Sequence, residues 1–319
     1  MAKPPPLTDD QKSRLSRLEP RLRACVRLAD LDEAKRIAAS IQQLLRPTGH
    51  ETRLLQAKNW LYETALEANN LTYAKLGFEG TLQKAAPQTR LHLEATALLA
   101  ICYLREKNLP KARELLQQAV ENINNIKSIQ RRRQFHHRLL QRLEEESVLV
   151  GLMDDTGAQL DVEEVDAQSI RLVMSKSEDQ ILLEMGKAVP KSSLSLLEDI
   201  RNTYQRRLPA PDRGLLPPPL TEETKLELGK RAESALRRVA WRALCDPRNE
   251  IYQAWSNGLS VVYDKKYITA AIVASFGSLG ITTTMLAASA VALAVKFGAQ
   301  VFCEAYAPVG LMIQRQDKE

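Results

Sequence analysis

Glycine, aromatic residues and histidine are all scarce in this 319-residue chain, and each scarcity removes a class of function. The 13 glycines form no phosphate-cradling loop. Gly277-Ser278-Leu279-Gly280 comes closest, but no Lys-Ser/Thr follows it and its surroundings are apolar. The histidines are His50, His92, His136 and His137. Adjacent His136 and His137 would point to different faces of a helix, unlike the i, i+4 spacing of a helical metal site. Cys25, Cys102, Cys245 and Cys303 are scattered with no close pair, so no zinc or redox spacing can be built from them. That pattern suits a reducing cytosol, with Cys25 and Cys102 read as small apolar core residues. No serine or cysteine nucleophile motif is present. The sequence therefore predicts a non-enzymatic protein with no cofactor, no metal and no catalytic residues. The start, Met1-Ala2-Lys3-Pro4-Pro5-Pro6, also lacks the apolar core of a secretion signal, which predicts a cytoplasmic location.

Leu, Ala, Glu, Gln, Lys and Arg dominate what remains, and these strong helix formers predict an all-α fold. The length suits two domains, each burying its own core. Net charge is +6 but uneven: residues 1–150 carry 25 Lys/Arg against 17 Asp/Glu, while residues 151–220 carry 8 against 12. A basic bias of that size is compatible with acidic proteins, anionic lipid or nucleic acid and selects none of them.

One phrase recurs three times. Asp30-Leu31-Asp32-Glu33-Ala34-Lys35, Asn70-Leu71-Thr72-Tyr73-Ala74-Lys75 and Asn108-Leu109-Pro110-Lys111-Ala112-Arg113 share Asp/Asn-Leu-x-x-Ala-Lys/Arg, with alanines 40 and 38 residues apart. Recurrence at that distance predicts stacked helical hairpins, an architecture that usually presents a binding surface. Helix breaks are expected at Ala29-Asp30, Pro47-Thr48-Gly49, Asn69-Asn70, Pro87 and Lys107-Asn108. In the third copy Tyr103, Ala112 and Ala119 keep intervals of nine and seven, and this hairpin resembles the tetratricopeptide repeat. The second copy departs, with Ala65 in the place of Tyr103 and Thr81 in that of Ala119. The first is looser, and the period exceeds the family's usual length of about 34. The resemblance covers roughly residues 15–125. It implies a partner groove lined by the first helices of the hairpins, through Arg23, Arg27, Asn59, Glu63, Glu94 and Ile101, suited to an extended peptide.

Residues 126–152 read as one further helix, expected to close the stack as an exposed element. Its run Arg131-Arg132-Arg133-Gln134-Phe135-His136-His137-Arg138 is offset by Glu144-Glu145-Glu146 at helical spacing. Arg131, Arg132, Arg133 and Arg138 are candidate phosphate contacts. Asp161 with Glu164, and Ser177 with Gln180, mark helix starts, so residues 161–207 are expected to hold three short helices. Residues 148–153 and 170–174 also read as strands. Five prolines within residues 208–220 predict an extended linker. Helix resumes after Thr221-Glu222-Glu223-Thr224, with Leu226, Ala232, Leu236, Ala240 and Leu244 on one stripe, and Ile251 to Trp255 begins another. The expected organisation is thus a hairpin domain at 1–153, short helices at 154–207, a linker at 208–220 and a helical C-terminal domain at 221–319.

Residues 267–295 contain no charge, a run long enough for a membrane span. Seven Ser or Thr lie within it, and Gly277 and Gly280 are expected to break the helix. Two readings stand. One is an apolar helical hairpin buried in a core. The other is a membrane segment over residues 267–302, represented by Gly280, Leu286, Val291, Val295 and Phe302, inserted constantly or on activation. The functional expectations follow in order: a scaffold that binds a protein partner through its hairpins, a membrane-acting effector with membrane association through the C-terminal segment, and a nucleic-acid binder through residues 131–142.

Overall fold

In the computed structural model the described residues are 4–153, 159–207, 224–250, 252–253 and 265–312. They form fourteen α-helices and no sheet. Residues 148–152 and 170–174 are helical, and the residual β-geometry is one isolated bridge between Met153 and Ile281. The chain divides into two compact units. The first comprises the described residues of Met1–Leu140, Thr203–Leu216 and Val309–Glu319, and the second those of Gln141–Asn202 and Pro217–Pro308. The proline-rich stretch 208–220, and most of the helix expected from Ile251 to Trp255, lie outside the described residues.

The first unit is built on three helical hairpins: α1 (Asp9–Leu28) with α2 (Leu31–Leu45), α3 (Glu51–Glu67) with α4 (Leu71–Lys84), and α5 (Arg90–Arg105) with α6 (Leu109–Glu121). The repeated phrase is the turn of each. Ala29, Asn69 and Lys107 adopt left-handed backbone, with φ of 53°, 58° and 58°. The next residue then donates its N–H back across the turn: Asp30 to the Cys25 carbonyl at 3.1 Å, Asn70 to Ala65 at 2.8 Å, Asn108 to Tyr103 at 2.9 Å. This closes the first helix with a left-handed cap. The same Asp/Asn side chain caps the second helix, accepting from the backbone N–H of Glu33, Tyr73 and Lys111. Such a cap is worth about 1 kcal/mol. Ala34, Ala74 and Ala112, one turn further on, are 0%, 0% and 2% exposed. α3 and α5 each also pack on the preceding hairpin, which stacks the three.

α7 (Ile129–Leu152) follows, and the division between units falls within it, after Leu140. It is not the exposed cap expected from its charges. Phe135, Leu139 and Leu143 are fully or nearly fully buried, and Arg142 pairs with Glu146 at 2.8 Å with both side chains buried. Its acidic residues face other helices: Glu144 pairs with Arg201 at 2.8 Å and with Arg231, and Glu145 pairs with Arg238 at 3.0 Å.

The second unit continues with α8 (Val162–Ser175), α9 (Glu178–Ala188), α10 (Lys191–Arg207, of which the residues from Thr203 belong to the first unit), α11 (Lys225–Cys245), α12 (Lys265–Ser278), α13 (Thr284–Phe297) and α14 (Ala299–Ala305). Asp161 caps α8, and Ser177 and Thr224 form capping boxes with Gln180 and Glu227. The three helices expected in residues 161–207 are present. α13 is central: it packs against α8, α9, α11, α12 and α14, and every residue from Leu286 to Ala294 is buried.

That placement corrects the membrane reading of residues 267–302. Among the described residues no helix is long and apolar enough to cross a membrane. α12 and α13 have 14 residues each, about 21 Å of helix against a hydrocarbon layer of about 30 Å. Gly280, at φ 71°, ends α12, and Ile281 donates back to the Phe276 carbonyl at 3.0 Å, whereas Gly277 stays helical. Leu286 and Val291 are fully buried, Val295 is half-buried, and Phe302 packs its ring on Tyr306. The absence of charge from Leu286 to Ala294 reflects burial on every side by other helices. The membrane-spanning hairpin, the membrane partner and membrane association therefore fall together.

The cysteine reading also changes. Cys245, at the end of α11, and Cys303, in α14, form a disulfide, with Cα atoms 5.3 Å apart. Cys25 and Cys102 are free and buried. The pair lies 58 residues apart in sequence, too far for spacing to reveal it, and a disulfide does not suit the reducing compartment expected from scattered cysteines.

Candidate functional site: the inner face of the hairpins

The first helices of the hairpins, α1, α3 and α5, lie side by side, since α3 contacts both of the others. On α1 the Arg23 guanidinium sits over the Trp60 ring of α3, 5.4 Å from its centroid, and Arg27, one turn on, is exposed. On α3 the residues Gln56, Asn59 and Glu63 follow at helical spacing and are 2%, 0% and 2% exposed. Asn59 donates through Nδ2 to the Leu91 carbonyl at 3.3 Å, tying α3 to the first turn of α5. Glu94 of α5 is fully buried, with Arg90 Nε 3.6 Å from its carboxylate, and Ile101 is fully buried as well. Of the six residues expected to line an open groove, four are covered.

What meets Glu63 is the chain's own later sequence. The backbone N–H of Leu311 donates to Glu63 Oε1 at 2.5 Å. Gly310 passes so close that a Cβ built on it would lie 3.1 Å from the same oxygen. Leu311 and Met312 are 4% and 3% exposed, and residues 306–312 are non-helical. A buried carboxylate costs several kcal/mol unless it is paired and hydrogen-bonded. Here the Leu311 amide supplies a hydrogen bond, and Arg138 of α7 supplies charge within electrostatic reach of both Glu63 and Glu94. Burial pushes the Arg138 guanidinium below its ordinary value, the two carboxylates oppose that shift, and arginine stays protonated.

Arg138, one of the four candidate phosphate contacts, thus lies within electrostatic reach of Glu63 and Glu94. The other arginines do not converge: Arg131 and Arg133 are exposed, and Arg132 donates to Asn124 Oδ1 at 3.1 Å. Gly310, Leu311 and Met312 escaped the sequence reading because nothing in a short apolar stretch near the chain's end says which helix it returns to.

A second polar cluster lies in the other unit. Gln141, Glu144 and Glu145 of α7, with Glu227, Lys230, Arg231 and Ser234, line a cavity of about 270 Å³. Both α7 carboxylates there are engaged, Glu145 also accepting from Ser234 Oγ at 3.0 Å, so the cluster reads as a set of ion pairs between helices. Among the described residues no group of three or more His, Cys, Asp or Glu could hold a metal ion. Comparison of the chain with protein-family models, with curated proteins and with solved structures finds no match, so no family is assigned and the tetratricopeptide resemblance gains no support.

Proposed function

We propose that the first unit binds an extended segment of a protein partner along the inner face of α1, α3 and α5. One observation carries this reading: a buried carboxylate, Glu63, already accepts a backbone N–H from a non-helical segment lying against α3. A backbone amide carries no side-chain identity, so a carboxylate that accepts it fixes an extended chain in place. Pockets for neighbouring side chains would then supply specificity. The basic surplus of residues 1–150 would favour a segment with acidic residues flanking the docked stretch.

A photo-crosslinking residue placed at Arg27, on the inner row, should form adducts with a discrete partner in cells that express the protein. The same residue at Arg36, exposed on α2, should not. Equal labelling from both positions, or labelling from Arg36 alone, would contradict the reading.

A further inference from the structure

We infer that residues 309–312 act as a built-in ligand for the inner face, so that a partner must displace them; this rests on the reading above. Val309 is exposed, and Leu311 and Met312 after it are buried. Gly310 stands where a side chain would press on the Glu63 carboxylate. A residue without Cβ followed by two aliphatic side chains is therefore the chemistry this surface accepts, and a partner segment is expected to carry it.

The competition is intramolecular. A segment of the same chain faces its site at an effective concentration on the order of 1 mM. If its affinity in trans is about 100 μM, it holds the site closed ~90% of the time and lowers a competitor's apparent affinity ~10-fold. Such a segment has the properties of an autoinhibitory strap: modest affinity, high local concentration, and release when a stronger competitor arrives.

A fluorescein-labelled peptide with the sequence of residues 306–314 provides the probe, titrated against full-length chains. The variant Leu311→Asp/Met312→Asp, with circular dichroism matching wild type, should bind the peptide at least ~10-fold more tightly than wild type does. Adding Glu63→Gln to that variant should weaken binding again. Equal binding by wild type and the folded double variant would overturn the inference, and so would no binding by the folded double variant. Should that variant not fold, Gly310→Val takes its place with the same two outcomes. The two readings fail separately. Adducts from Arg27 with no peptide binding to any folded variant would remove the strap alone. Tight peptide binding to the double variant without adducts would remove the partner and leave the strap.

Discussion

Replacing Gly186 or Gly229 by alanine is expected to destabilise the second unit by on the order of 3 kcal/mol. These glycines lie where α9 and α11 meet. A Cβ on Gly186 would overlap the Lys225 carbonyl oxygen and come within 2.8 Å of the Gly229 nitrogen, and one on Gly229 would overlap the Leu182 carbonyl. The obstacles are backbone atoms within helices, so no side chain can rotate away to make room. The helices must separate, and every contact along their interface loosens with them. Over a chain of this size that loss corresponds to a fall of about 6–12 °C in thermal midpoint. Gly277→Ala serves as the control. Gly277 lies inside α12, exposed, with nothing within 4 Å of a built Cβ, and alanine there should stabilise by up to about 1 kcal/mol. A midpoint for Gly186→Ala within about 2 °C of wild type would mean that α9 and α11 do not approach this closely.

The paired variant Cys245→Ser/Cys303→Ser is expected to lose about 4 kcal/mol, the chain-entropy value for a crosslink closing 58 residues. The bond ties the end of α11 to α14, and Trp241 Nε1 donating to the Cys303 carbonyl at 3.0 Å holds the same two helices together. Denaturant titration of wild type with and without reductant should show the same loss, while the paired variant should ignore reductant. Thiol counting gives the direct check. Unfolding without reductant should expose two reactive thiols, Cys25 and Cys102, and four after reduction. Four before reduction would contradict the bond.

Local signals carried far in this sequence, and long-range ones did not. Asp30, Asn70 and Asn108 announced three turns because an Asp/Asn cap and a left-handed predecessor are set by neighbouring residues. The starts at Asp161, Ser177 and Thr224 were legible for the same reason, since a capping side chain bonds only two or three residues ahead. α7 was misread because its charges permit i, i+4 pairing, whereas Glu144 and Glu145 pair with arginines 57 to 93 residues away. The uncharged run was ambiguous because a helix enclosed by other helices and one enclosed by lipid need the same composition. Only the 14-residue lengths of α12 and α13 and the turn at Gly280 separate the two.

At the candidate site, helical spacing singled out Asn59, Glu63 and Glu94 as groove residues, and all three are buried. The surroundings of Glu63 were not legible, because Gly310, Leu311 and Arg138 lie far away in sequence. Arg138 is singled out by the two carboxylates it faces.

The amide of Leu311 reports most directly on whether an extended segment docks at Glu63. In native-state hydrogen exchange the account predicts that this amide exchanges about 10-fold more slowly than in an unstructured chain, the protection expected of a segment docked ~90% of the time and well below that of the helical core of the first unit. Glu63→Gln should reduce the protection, while the cap variant Asn108→Ala should leave it unchanged relative to global stability. A Leu311 amide that exchanges at the rate of an unstructured chain in wild type would contradict the central claim.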